Sequence, residues 1–144
     1  MSATCAAIGV DLGARRVGLA GADPTGTIAT PLATLERRHP KFWSALEQTC
    51  AERSCRLLVI GLPRRLDGSE GDAAALARRF AADAGRRLGV EVTMWDEWLT
   101  TVQAERALIA GGVRRVRRRS TVDAVAATLI LQSYLDAHPR SPLP

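Results

Sequence analysis

Only residues 11–15 separate the apolar run Ala6–Val10 from the apolar run Arg16–Ala22, and a single turn separates that run from Thr27–Leu35. Parallel neighbours need a crossover of about a dozen residues or more. Strands this close together therefore read as an antiparallel meander. The turn Asp23-Pro24-Thr25-Gly26 carries Pro and Gly where a type I turn wants them. Pro31, inside the third run, suits an edge strand or a bulge.

The pattern then changes. Phe42, Trp43, Leu46 and Cys50 recur at helical spacing between Pro40 and Arg53. Leu57–Ile60 is a continuous apolar run stopped by Gly61-Leu62-Pro63, the mark of a strand buried on both faces. Ser69 can cap a helix with the stripe Ala73, Leu76, Ala77, Phe80, Ala81, Ala84 and Leu88, ending at Gly89. Val90–Trp95 is another strand. Thr100-Thr101-Val102-Gln103 is a capping-box pattern, and the helix it opens stops at Gly111-Gly112. A basic loop follows, then a last helix over Thr121–Ala137. A meander followed by crossovers predicts one α/β domain over residues 1–137, a mixed sheet flanked by helices, with 138–144 as a flexible tail.

Composition narrows the partners. A chain of 144 residues with 47% apolar and 24% charged residues is one packed domain and excludes overall disorder. The net charge is +5, and since Lys41 is the only lysine, the 20 basic residues include 19 arginines. Arginine grips phosphate bidentately, which makes a polyanionic partner plausible. The start Met1–Cys5 has neither the basic flank nor the apolar run of a signal peptide, and no stretch is apolar enough to span a bilayer. The expected location is the cytoplasm, with no membrane partner. Cys5, Cys50 and Cys55 contain no Cys-x-x-Cys pair, and His39 and His138 lie far from any cluster, so the cysteines read as buried thiols rather than zinc ligands.

Acidic residues fall at the ends of the predicted elements. Asp11 ends the first strand and Asp96-Glu97 ends the last, and open α/β sheets bind ligands just beyond the carboxyl ends of their strands. Strand alternation lets only one of Asp96 and Glu97 point into such a site. Asp123 heads the stripe Ala126, Ala127, Ile130, Leu131 and Tyr134, the apolar face of the last helix. A carboxylate there is costly unless a cation meets it. A divalent metal shared with the strand-end acids would do so. The alternative for Asp123 is an N-terminal acid favoured by the helix dipole, three residues after Ser120. Together the acids look like a site for Mg²⁺ or Mn²⁺, in which two ions could activate a water and stabilise the departing oxygen of a phosphodiester.

Four blocks carry a resemblance. They are Asp11-Leu12-Gly13-Ala14-Arg15-Arg16-Val17-Gly18, Gly61-Leu62-Pro63 with Leu66–Gly71, Trp95-Asp96-Glu97 with Leu99-Thr100-Thr101, and Val122–Ala127 running on to Leu131–Leu135. In this order, over about residues 6 to 137, the chain resembles the YqgF/RuvX family of bacterial RNase H-like nucleases. That family includes proteins described as Holliday junction resolvase-like and as pre-16S rRNA processing nucleases. The resemblance implies an RNase H-like fold, with helices on both faces of the sheet, and catalytic metal-binding acids at Asp11, Glu97 and Asp123. It also selects Glu97 over Asp96. Trp98 stands where the family commonly has Arg, which leaves the carboxylates intact.

Nucleic acid would be held by Arg114, Arg115, Arg117, Arg118 and Arg119, placed at the edge of the site if Asp123 holds metal. Arg15 and Arg16, after the Asp11 turn, reach toward the scissile phosphate or form an exposed hairpin. Asp67 and Glu70 read as turn and capping residues of the Gly61–Gly71 loop. The expected function is metal-dependent hydrolysis of phosphodiesters in rRNA maturation, with RNA as the favoured substrate. The alternatives are resolution of branched DNA by a homodimer and a non-catalytic nucleic-acid-binding module. An actin- or Hsp70-like phosphatase also carries Asp-x-Gly after a first strand, but it needs two such domains.

Overall fold

In the computed structural model, which describes residues 7–96 and 115–139, the closely spaced runs form β1 (Ala7–Leu12), β2 (Arg16–Ala22) and β3 (Ala29–Glu36). Both pairings are antiparallel, as the short connections require. Gly26 N–H donates to the Asp23 carbonyl at 2.9 Å, closing the turn that Pro24 and Gly26 announce. β3 lies on the sheet's outside, and its register with β2 shifts between Leu19 and Ala20, opposite Ala33 and Pro31. The proline therefore sits at a bulge on an edge strand, where its missing N–H breaks no ladder.

α1 (Phe42–Glu52) leads into β4 (Leu57–Leu62), α2 (Asp72–Leu88) into β5 (Glu91–Asp96), and α3 (Arg115–Ala137) closes the described chain. β4 pairs parallel with β1, and β5 parallel with β4, giving the order β3-β2-β1-β4-β5. Two cores follow from strand alternation. Ile8, Val10, Val17, Leu19, Leu58 and Ile60 pack under α1 and α2 with Phe42, Leu46 and Phe80. Ala7, Ala20, Ala22 and Val59 pack under α3 with Ala127, Ile130, Leu131 and Leu135. The expected mixed sheet with helices on both faces is thus the observed one.

Gly9 brings α3 close. A Cβ at Gly9 would lie 2.7 Å from Leu131 Cβ and 2.8 Å from the Ala127 carbonyl oxygen. Gln132 fixes the other side of the contact: its Oε1 accepts from Ala29 N–H at 2.9 Å and its Nε2 donates to the Thr27 carbonyl at 2.8 Å.

Three local expectations are corrected. α2 starts after Gly71 with no side-chain cap, because the Ser69 hydroxyl donates to Asp67 Oδ1 at 2.6 Å instead. Its buried stripe is Ala74, Ala77, Phe80 and Ala84, whereas Ala73 is exposed and Leu76 is 41% exposed. The third concerns Arg115–Ser120, which form the first turns of α3 rather than a loop. Arginine is a good helix former, and no Gly or Pro interrupts the chain between Arg114 and Asp123. The Thr100–Gly112 helix and residues 140–144 of the tail lie outside the described residues.

Candidate active site

Asp11 is half-buried near the carboxyl end of β1 and shares its strand face with Ala7 and Gly9, the face covered by α3. The direction of α3 follows from its contacts. Gln132 bonds Thr27 and Ala29, at the sheet end where Ala29 pairs with Ala22, whereas Ala127 lies against Gly9. Going back along the helix from Gln132 through Ala127 thus leads toward the Asp11 end of β1. The backbone of Asp123 stands one turn, about 5.4 Å, further in that direction.

Asp123 is eight residues inside the first described residue of α3, and no acidic residue stands in that helix's first turn. The reading of Asp123 as a dipole-favoured N-terminal acid is therefore overturned.

Alternation also places Asp96, the last residue of β5. Val92 and Met94 pack in the α1–α2 core and Trp95 in the α3 core, so Asp96 lies on the face opposite Asp11. There its Oδ2 accepts from Arg64 Nε at 2.9 Å. Glu97, the next residue, lies outside the described residues, as do Trp98 and Arg114. Among the described residues no three His, Cys, Asp or Glu side chains come together; of the three expected acids, only Asp11 belongs to that set with its side chain.

Two loops border the Asp11 end. The β1–β2 turn is closed by Gly13 N–H donating to the Arg16 carbonyl at 2.9 Å. Arg15 on it is exposed and Arg16 half-buried. Arg37 holds this turn twice: its backbone N–H donates to the Arg15 carbonyl at 2.8 Å, and its Nη1 to the Gly13 carbonyl at 3.2 Å. In the β4–α2 loop, Arg64 Nη1 donates to the Gly68 carbonyl at 3.0 Å while its Nε holds Asp96. Asp67 is a turn residue, as expected, and bonds from the Ser69 hydroxyl and N–H hold its carboxyl below the usual range. Glu70 is not a cap. It takes two bonds from Arg78, at 2.8 and 2.7 Å, and these depress its pKa. Sequence alone does not single out Arg37 or Arg64; both act across the fold, and nothing beside them in the chain announces it.

The sequence matches the family described as "RuvX: Holliday junction resolvase" over residues 5–137. The chain belongs to the RuvX family. A relative from Myxococcus xanthus, named "Putative pre-16S rRNA nuclease", is 43% identical over 132 residues, covering 91% of this chain and 87% of the relative. One of the same name from Cereibacter sphaeroides is 45% identical over 132 residues, covering 91% and 82%. Among solved structures, Thermus thermophilus RuvC in complex with a Holliday junction substrate superimposes with a TM-score of 0.57 at 17% identity, covering 96% of this chain and 99% of that one. A second structure of that RuvC gives 0.52 at 16% identity, covering 90% and 96%. The likeness shows the RNase H-like fold. Family and fold together make the chain a nuclease-type hydrolase.

Proposed function

We propose that this RuvX family member is a metal-dependent nuclease of pre-16S rRNA 5′-end maturation, with Asp11, Glu97 and Asp123 as its catalytic and metal-binding acids. The observation that carries the reading is the shared face of β1 and α3: Asp11 alternates with Gly9, and Asp123 lies one turn before the residue that meets Gly9. Residues 1–137 act as one RNase H-like unit.

The donor chemistry fits a hard divalent ion. Carboxylate oxygens at an open strand end suit Mg²⁺ or Mn²⁺, and sulfur or imidazole ligands are not part of the set. When bound, two such ions would supply Lewis-acid stabilisation of the phosphate and a water of lowered pKa. The chain's own part is to hold the acids in register through β1 and α3. Arg15, Arg16, Arg114, Arg115, Arg117, Arg118 and Arg119 neutralise the phosphates flanking the cut. The protein acts in the cytoplasm on RNA. No helix among the described residues is long and apolar enough to cross a membrane.

The test is cleavage of a matched panel: a pre-16S 5′ fragment, single-stranded RNA and DNA, duplexes and a four-way junction. Each is run with Mn²⁺, with Mg²⁺ and with chelator, beside Asp123→Asn. Metal-dependent cutting of the rRNA fragment is expected. Symmetric nicks confined to the junction would replace the substrate with branched DNA, resolved by a homodimer. Binding without cutting would leave a non-catalytic module.

A further inference from the structure

The end of α1 brings two cysteines together. Cys55 N–H donates to the Cys50 carbonyl at 2.8 Å and Ser54 N–H to the Ala51 carbonyl at 3.2 Å, while Ser54 takes φ 53°. This is a Schellman motif, in which the two residues bonded six-to-one normally make an apolar contact. Here both are cysteines, and the Cys55 thiol donates to the Leu57 carbonyl at 3.3 Å. A backbone bond between two residues sets their Cα atoms at about 5–6 Å, inside the range that a disulfide spans.

The sulfurs differ in character. Cys50 is 6% exposed, and the neighbouring Cys55 side chain, together with burial, pushes its pKa up. Cys55 is half-buried, and the neighbouring Cys50 side chain, with further help from the backbone of Leu57 and Ile8 and the Arg53 guanidinium, draws its pKa down. Both border a surface cleft of about 200 Å³ lined also by Glu47, Ser54, Leu88 and Val90, wide enough for a small oxidant.

We propose that Cys50 and Cys55 are an oxidisable dithiol, with Cys55 as the sulfur attacked by hydroperoxides and Cys50 as the resolving thiol. The Cys55 thiolate attacks a peroxide oxygen, the O–O bond breaks, and a sulfenic acid and hydroxide form. The Cys50 sulfur then attacks the Cys55 sulfur, and the hydroxyl leaves as water with the Cys50 proton. Two thiols lose two electrons and the peroxide gains them, so that hydrogen peroxide ends as water.

The test uses the full chain, reduced, freed of reductant and treated with a small molar excess of hydrogen peroxide. It is then alkylated in denaturant and digested with trypsin without reduction. Cleavage after Arg53 separates the cysteines, so the disulfide appears as peptide 42–53 joined to peptide 54–56, two hydrogens lighter than the free pair. In Cys50→Ser, Cys55 should stop at a sulfenic acid that dimedone traps. In Cys55→Ser, peroxide consumption should fall about tenfold or more. The same treatment in urea should scramble the linkage to include Cys5. Full alkylation of both cysteines after peroxide treatment, or a native linkage through Cys5 or between chains, would overturn the proposal.

Discussion

Trp95 Nε1 donates to Ser133 Oγ at 3.0 Å, tying the end of β5 to the helix that bears Asp123. The indole also packs edge-on against Tyr134 at 5.4 Å, and His138 stacks on Tyr134 at 4.2 Å. Ser133→Ala leaves the half-buried indole N–H without this partner and should cost about 1 kcal/mol. A thermal melt that overlays the parent's would show that the tie carries no weight.

Gly9→Ala places a methyl against Leu131 Cβ and the Ala127 carbonyl, neither of which is a flexible side-chain end. The helix must lift, at a cost of about 1–3 kcal/mol. The expected result is a lower urea midpoint and, because Asp11 and Asp123 are carried by the strand and the helix that meet at this contact, slower cleavage. An unchanged midpoint would mean that α3 is not seated on β1 as described.

Ser54→Gly should stabilise. Ser54 holds φ 53°, where a side chain costs about 1–2 kcal/mol and glycine costs little. The melting temperature should rise by a few degrees, read by calorimetry, and a fall would assign the serine a favourable contact of its own.

Asp11→Asn, Glu97→Gln and Asp123→Asn should each lower cleavage by roughly 100-fold or more, since in the proposed mechanism several kcal/mol of charge stabilisation depend on the metal. The circular dichroism spectrum should not change. Chelation of the parent should do the same, and full cleavage after exhaustive chelation would remove metal from the mechanism.

Replacing Arg117, Arg118 and Arg119 with Gln should weaken binding across all sequences and flatten its salt dependence. The slope of log K against log salt should fall by about 0.9 for each duplex phosphate no longer neutralised, or about 0.7 for a single strand. An equal slope would leave these arginines with no role in binding.

Much of the fold is legible in the sequence because the apolar runs are short and their separations leave few pairings. Leu57–Ile60 reads as a two-faced strand and is one, and Gly89 ends α2 with φ 65°, as its place in the sequence implies. Alanine is what misleads. With Ala73, Ala74, Ala75 and Ala77 all small and apolar, two adjoining faces of α2 look alike, and the packing of Phe80 on Phe42 and Trp43 chooses between them. The charge run at Arg115 reads as a loop because positive charge opposes the dipole at a helix start. Arg37 on Gly13, Arg64 on Asp96 and Gln132 on Ala29 are bonds between distant segments, and no local pattern records them. In the sequence, Glu97 is chosen by family resemblance alone; alternation in β5 supplies a physical reason to set Asp96 aside.

The Gln132 amide behaves as a piece of borrowed backbone. With one acceptor and one donor it completes Ala29 and Thr27 as a neighbouring peptide unit would, so α3 is keyed to the hairpin as well as greased against the sheet. Apolar contacts alone would tolerate sliding, whereas a one-turn slip of about 5.4 Å would break both bonds together. The β2–β3 hairpin thus acts as a datum for the helix, and the axial position of residue 123, nine residues and about 13–14 Å away, is gauged from the far end of the sheet.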